Sequence, residues 1–148
     1  MKTLILAMTL IVSQHSFAAS TDIWEGPGSL FDVKGNPTST YNLVVENTKN
    51  GNQIQSNVTV TLPNGTTQQQ QCLMTETSQD GWTSKCDHGN GGGHCFGEGL
   101  CISYEEDSSG KAYATTIVMD GPSDMRLLRT ELLNGQAVQF FREKLHKR

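Results

Sequence analysis

From Trp24 onward the chain sets short runs of Val, Thr, Tyr, Ile and Phe, in which apolar and polar positions tend to alternate, between clusters of turn-forming residues. A period of two marks strands with one buried face, and no clean helical stripe appears before the C-terminal third. The clusters are Lys49-Asn50-Gly51-Asn52, Pro63-Asn64-Gly65-Thr66, Gln79-Asp80-Gly81, Ser108-Ser109-Gly110 and Leu133-Asn134-Gly135-Gln136. Asn-Gly and Asp-Gly suit tight hairpins because they tolerate positive φ at the central positions. The pattern predicts an all-β fold, an antiparallel up-and-down meander of eight or nine strands.

Register follows from the turns. A two-residue turn at Asn50-Gly51 sets Leu43 against Val58 and Val45 against Ser56, one coherent apolar face. A tight turn at Asn64-Gly65 would point Gln69 and Gln71 inward, whereas one extra loop residue would turn Gln70, Cys72 and Met74 inward instead. A hairpin at Asn134-Gly135 sets Leu132 against Ala137 and Leu128 against Phe141, and the competing reading there is a helix beginning near Ser123. A meander this long leaves exposed edges unless it closes. A closed or nearly closed barrel is therefore expected, with a β-sandwich or a barrel carrying a C-terminal helix as alternatives.

Composition narrows the function classes. The 148 residues carry 11 Lys+Arg against 15 Asp+Glu, a net charge of -4 that argues against a nucleic-acid partner. Met1-Lys2, the apolar run Leu4 to Val12 and Ser16-Phe17-Ala18 have the form of a signal peptide with cleavage after Ala18. That run is shorter than the ~20 apolar residues a spanning helix needs, so no stable membrane insertion is expected. The expectation is an address at 1-18, a single domain at 19-148, and a periplasmic or secreted location.

Four cysteines, Cys72, Cys86, Cys95 and Cys101, fit an exported chain with two disulfides. Gly97-Glu98-Gly99 would fold Cys95 onto Cys101, leaving Cys72 for Cys86. That second bridge requires a turn centred on Gln79 rather than a tight Asp80-Gly81 turn, and the pairing of Cys86 with Cys95 and Cys72 with Cys101 stays open. A competing use of the same stretch is a metal site built from His88 and His94 with the cysteine thiolates, although the C-x-x-C spacing of zinc knuckles is missing. No metal or other cofactor is the primary expectation.

The segment Gly89-Asn90-Gly91-Gly92-Gly93 reads as an inter-strand loop at a barrel mouth, because the helix and Lys-Ser/Thr pair of a phosphate loop are absent. Glu105-Glu106-Asp107 reads as a solvated acidic loop. Neither a nucleophile elbow nor a metalloprotease motif is present, and a protein without catalytic activity is expected.

Trp24-Glu25-Gly26-Pro27-Gly28 opens the first strand, and Arg129 and Arg142 lie in the closing hairpin. In this order of strands, and in that Trp with a closing-strand Arg, the chain resembles the calycin superfamily of lipocalin-like barrels. The resemblance implies a closed barrel in which the guanidinium of Arg142 or Arg129 stacks on Trp24, a structural role. The functional expectation is an exported protein binding an apolar or amphipathic small molecule in the barrel interior, with Met74, Trp82, Phe96, Tyr104 and Tyr113 near the mouth. The alternative is an envelope or secreted factor with a filled core that meets a protein partner, and a third reading is a metal-dependent enzyme at the Cys/His cluster.

Overall fold

The computed structural model describes residues 19–77 and 80–148; the expected signal peptide lies outside the described residues. Ten strands follow one another: β1 (Ser20–Phe31), β2 (Pro37–Asn50), β3 (Gln53–Thr61), β4 (Thr67–Glu76), β5 (Gly81–Cys86), β6 (Gly89–Phe96), β7 (Leu100–Glu106), β8 (Lys111–Met119), β9 (Asp124–Leu133) and β10 (Gln136–Lys147). Each pairs antiparallel with its neighbours, and β1 pairs with β10 to close the barrel. Closure removes the free edges that an open meander would expose. The barrel has ten strands where eight or nine were expected, and neither a sandwich nor a C-terminal helix forms.

The glycine-rich run supplies part of the difference. It is strand β6 and not a loop, hydrogen-bonded to both β5 and β7. Its glycines leave room for neighbours: a Cβ on Gly93 would lie 1.9 Å from Trp82 Cζ2, and one on Gly91 would lie 1.9 Å from the Tyr104 carbonyl oxygen. Glycine inside a strand marks such close approach.

Two turns shift the expected registers. The β2–β3 turn centres on Gly51-Asn52, so Val45 faces Val58 and not Ser56, while the same residues remain inward. Gly51 supplies the positive φ (61°) that a type II′ turn asks of its first central residue. In the last hairpin Leu132 does face Ala137, but a bulge then skips Val138 and sets Arg129, not Leu128, against Phe141. One residue of slip exchanges the two faces of a strand. Arg129 is thereby buried and Leu128 is exposed.

The looser β3–β4 turn sets Val58 against Gln70 and Ser56 against Cys72, so Gln70, Cys72 and Met74 face inward. Because the meander alternates direction, the β1–β2, β3–β4, β5–β6, β7–β8 and β9–β10 turns share one end of the barrel, called the mouth below. The opposite end, the base, is filled by Trp24, Trp82, Met74, Met125 and Leu145, all buried. Burying an aliphatic or aromatic side chain of this size contributes about 1.5–3 kcal/mol.

Candidate functional site

Polar interior residues collect toward the mouth. Strand alternation decides which: the inward Cys101 fixes the parity of β7, so Ser103 and Glu105 point in while Glu106 points out. Glu105 is 2% exposed, which corrects its reading as part of a solvated loop. Asp107 does stand at the β7–β8 turn, where it accepts hydrogen bonds from the backbone N–H groups of Ser109 and Lys111.

Around Glu105 the partners come from β5 and the turn that follows it. Ser84 Oγ donates to Glu105 Oε1 over 3.1 Å, and His88 Nε2 lies 3.1 Å from Glu105 Oε2. Cys86 Sγ is 3.6 Å from Oε1. Cys86 is bridged to Cys72 and therefore has no S–H to give. His88 also meets the Tyr113 ring edge to face, with centroids 6.0 Å apart, and its buried Nδ1 has no partner.

Across the mouth Lys111 Nζ pairs with Glu131 Oε1 at 2.8 Å and lies 5.5 Å from the centre of the Tyr113 ring. Burial works against the Lys111 charge, but the hydrogen bonds with Glu131 and Tyr113 outweigh it and raise the pKa. Burial also raises the Tyr113 pKa and keeps that hydroxyl protonated at neutral pH. His88, Lys111 and Tyr113 border an open cavity of about 880 Å³ that also takes in Gln68, Gln70, Cys86 and the turn around Asp107.

Deeper in, Arg129 and Glu143 form a buried pair, and Tyr41 donates to the same Glu143 oxygen at 2.5 Å. Desolvation pushes the Glu143 pKa up, against the opposing pull of Arg129 and Tyr41. Arg129 Nε and Nη1 and Glu143 Oε2 have no protein partner. A buried polar atom left without a partner costs about 1–3 kcal/mol, so water or a bound polar group is favoured beside these atoms.

The residues singled out from sequence are dispersed. Met74 and Trp82 are buried at the base, Tyr113 borders the mouth, and Phe96 and Tyr104 are on the outer surface, 55% and 46% exposed. The expectation that these five share a mouth is corrected by strand parity and direction. Neither arginine stacks on Trp24: Arg142 lies on the outside over Phe31, and Arg129 lies over Phe141 and Tyr113. The cation near Trp24 is Lys147, with Nζ 5.9 Å from the ring centre. Both Cys72–Cys86 and Cys95–Cys101 are disulfides, which suits an oxidising compartment. The metal set with both histidines fails, since His94 is outside against Phe96 and Cys95 and Cys101 are bonded to each other.

Lys111, Glu131 and Gln139 were absent from the sequence reading of the site. Glu131 and Gln139 enter through the bulge at Val138, which reassigns the inward positions of the closing hairpin, and Lys111 enters at the start of β8.

No family model matches the chain, and no curated protein matches it in sequence. The chain is similar in fold to the S-type phycobiliprotein lyase of Guillardia theta, with a TM-score of 0.61 over 85% of this chain and 86% of that one. At 6% identity the likeness is one of fold, a calycin-like barrel. It overturns the expectation of a protein without catalytic activity: a barrel of this shape is the scaffold of a protein named a lyase, so missing nucleophile motifs exclude no chemistry here.

Proposed function

We propose that this protein binds a small amphipathic molecule at the barrel mouth, with the polar end of the ligand against His88, Lys111 and Gln70 and its apolar part on Tyr113. The observation that carries this is the unpartnered Nδ1 of His88 beside a cavity of about 880 Å³. Pockets of about 300–1,000 Å³ with a few convergent polar groups are the usual form of small-molecule sites. The filled base argues against a purely apolar ligand threaded along the barrel axis, and it moves the expected occupant toward the mouth. The signal-like start and the two disulfides support an exported location.

A second reading rests on the outer surface. Ile102, Tyr104 and Leu128 are exposed beside a shallow groove of about 680 Å³ that crosses β6 to β10. An apolar outer face of this kind would suit a protein partner.

The two readings separate in a titration with the amphipathic fluorophore 1-anilinonaphthalene-8-sulfonate. Binding at the mouth is expected to be lost in Tyr113→Ala and His88→Ala and kept in Tyr104→Ser and Leu128→Ser. The reverse pattern moves the function to the outer face, and no saturable binding in any variant removes the small-molecule reading.

A further inference from the structure

Cys72, Cys86, His88 and Glu105 bring one candidate ligand atom each to within 4.8 Å of one another at the mouth. We propose that this cluster is a redox-gated zinc site, closed as the Cys72–Cys86 disulfide and opened by a dithiol reductant. Two thiolates, an imidazole and a carboxylate form a donor set suited to a borderline-soft divalent cation in tetrahedral geometry.

The geometry favours this reading in three ways. Zinc bonds of ~2.0–2.3 Å to N, O and S place neighbouring ligand atoms ~3.3–3.8 Å apart. His88 Nε2 and Glu105 Oε2 are 3.1 Å apart, so a small shift separates that pair from such a shell, and Cys86 Sγ lies 3.6 Å from the other oxygen of the same carboxylate. Second, Ser84 Oγ already holds Glu105 through Oε1, which leaves Oε2 for a metal. Outer hydrogen bonds of this kind orient ligating carboxylates. Third, the Glu105 oxygen faces a bridged sulfur that has no proton to share, while a reduced Cys86 could donate to it or join it on a cation. The half-buried Cys86 and His88 border the open cavity, so reductant and metal can reach them.

The dithiol gives two electrons and two protons to the Cys72–Cys86 bond, the S–S bond breaks to two thiols, and the dithiol becomes its own disulfide. Zinc then displaces the two thiol protons to solvent and takes two thiolates, a neutral His88 and the Glu105 carboxylate. The bound site carries a net charge of about -1, next to a mouth that also holds Lys111.

The test uses the folded chain in a Cys95→Ser/Cys101→Ser background, so that only one disulfide responds to reductant. After reduction and anaerobic removal of the dithiol, the protein is titrated with Co²⁺ and then with Zn²⁺. The expected result is one equivalent of Co²⁺ with a sulfur-to-metal charge-transfer band and tetrahedral d–d absorption, displaced by one equivalent of Zn²⁺. The oxidised protein shows neither. His88→Gln and Glu105→Gln each weaken the reduced protein's affinity by at least ~tenfold, and removal of both Cys72 and Cys86 abolishes it.

Absence of uptake, or an affinity unchanged by both His88→Gln and Glu105→Gln, overturns the proposal. If reduction costs the chain its β-sheet circular dichroism, recovery of that signal on adding zinc supports the site and failure to recover overturns it. The outcome is independent of the small-molecule reading, because the fluorophore titration is carried out on the bridged protein.

Discussion

Arg129 Nη2 lies 2.5 Å from Glu143 Oε1 across β9 and β10, with both side chains almost wholly shielded from water. The pair exists because the bulge at Val138 turns Arg129 inward, and Gly28 makes room for its third member. A Cβ on Gly28 would lie 2.2 Å from Tyr41 Cε2, so only glycine lets the Tyr41 ring cross β1 to reach Glu143.

Removing one charge leaves the other buried and alone. Arg129→Met and Glu143→Leu are each expected to destabilise the barrel by about 3–5 kcal/mol. The double variant, with both charges replaced by apolar groups of similar volume, is expected to recover most of that loss. Urea midpoints of the three variants measure it, and strictly additive losses would contradict a coupled pair.

Burial raises the Glu143 pKa above its ordinary value, so the folded chain holds that proton more tightly than the unfolded chain does. The stability contributed by this group is therefore fully present below the ordinary glutamate pKa. It is lost as pH rises through the folded-state value. Between acid and neutral pH, wild type is expected to lose stability relative to Glu143→Gln, measured as the difference between their unfolding free energies at each pH. A difference that grows in favour of wild type as pH rises would mean that the pull of Arg129 and Tyr41, not burial, dominates at Glu143.

Gly93 and Trp82 occupy one space. Gly93→Ala forces its methyl into the indole and is expected to cost about 1–3 kcal/mol. In a Trp82→Leu background the same change should cost less but not nothing, because the ring is gone while the Ile102 carbonyl oxygen stays 2.4 Å from that Cβ. Gly26→Ala offers no such relief, since its Cβ would meet the Lys144 carbonyl oxygen at 2.0 Å. A double-mutant cycle on thermal unfolding reads the coupling for the first pair and its absence between Gly26 and Trp82.

The two disulfides close loops of different length. By chain entropy the Cys72–Cys86 loop contributes ~3 kcal/mol and the Cys95–Cys101 loop ~2.4 kcal/mol. Serine pairs at each bridge are expected to lower the unfolding free energy in that order, with a larger loss when both bridges go. Equal stability of wild type with and without reductant would contradict this.

The closed meander was legible in the sequence because turn residues punctuate it, and Gly97-Glu98-Gly99 fixes the Cys95–Cys101 bridge by local geometry. The Cys72–Cys86 bridge needed a looser turn, which the observed Cys72–Cys86 and Glu76–Trp82 pairings supply. The buried charges were hidden by a single residue. Nothing local marks Val138 as the bulge, yet it decides whether Arg129 or Leu128 faces the interior. Gly89 to Gly93 were hidden differently, since their meaning depends on Trp82 and Tyr104, which belong to the neighbouring strands. Glu105 was within reach: once Cys101 is bridged inward, the period of two carries the same face to Glu105.

The seam between β1 and β10 joins positions far apart along the chain, as in the ion pair of Glu25 with Arg148 and the facing of Trp24 and Lys147. Every other strand pair joins near neighbours in order, so nine hairpin contacts can form as the polypeptide is made. The seam cannot form until the tenth strand has been synthesised. During synthesis β1 stays an unsatisfied edge, prone to pair with another chain.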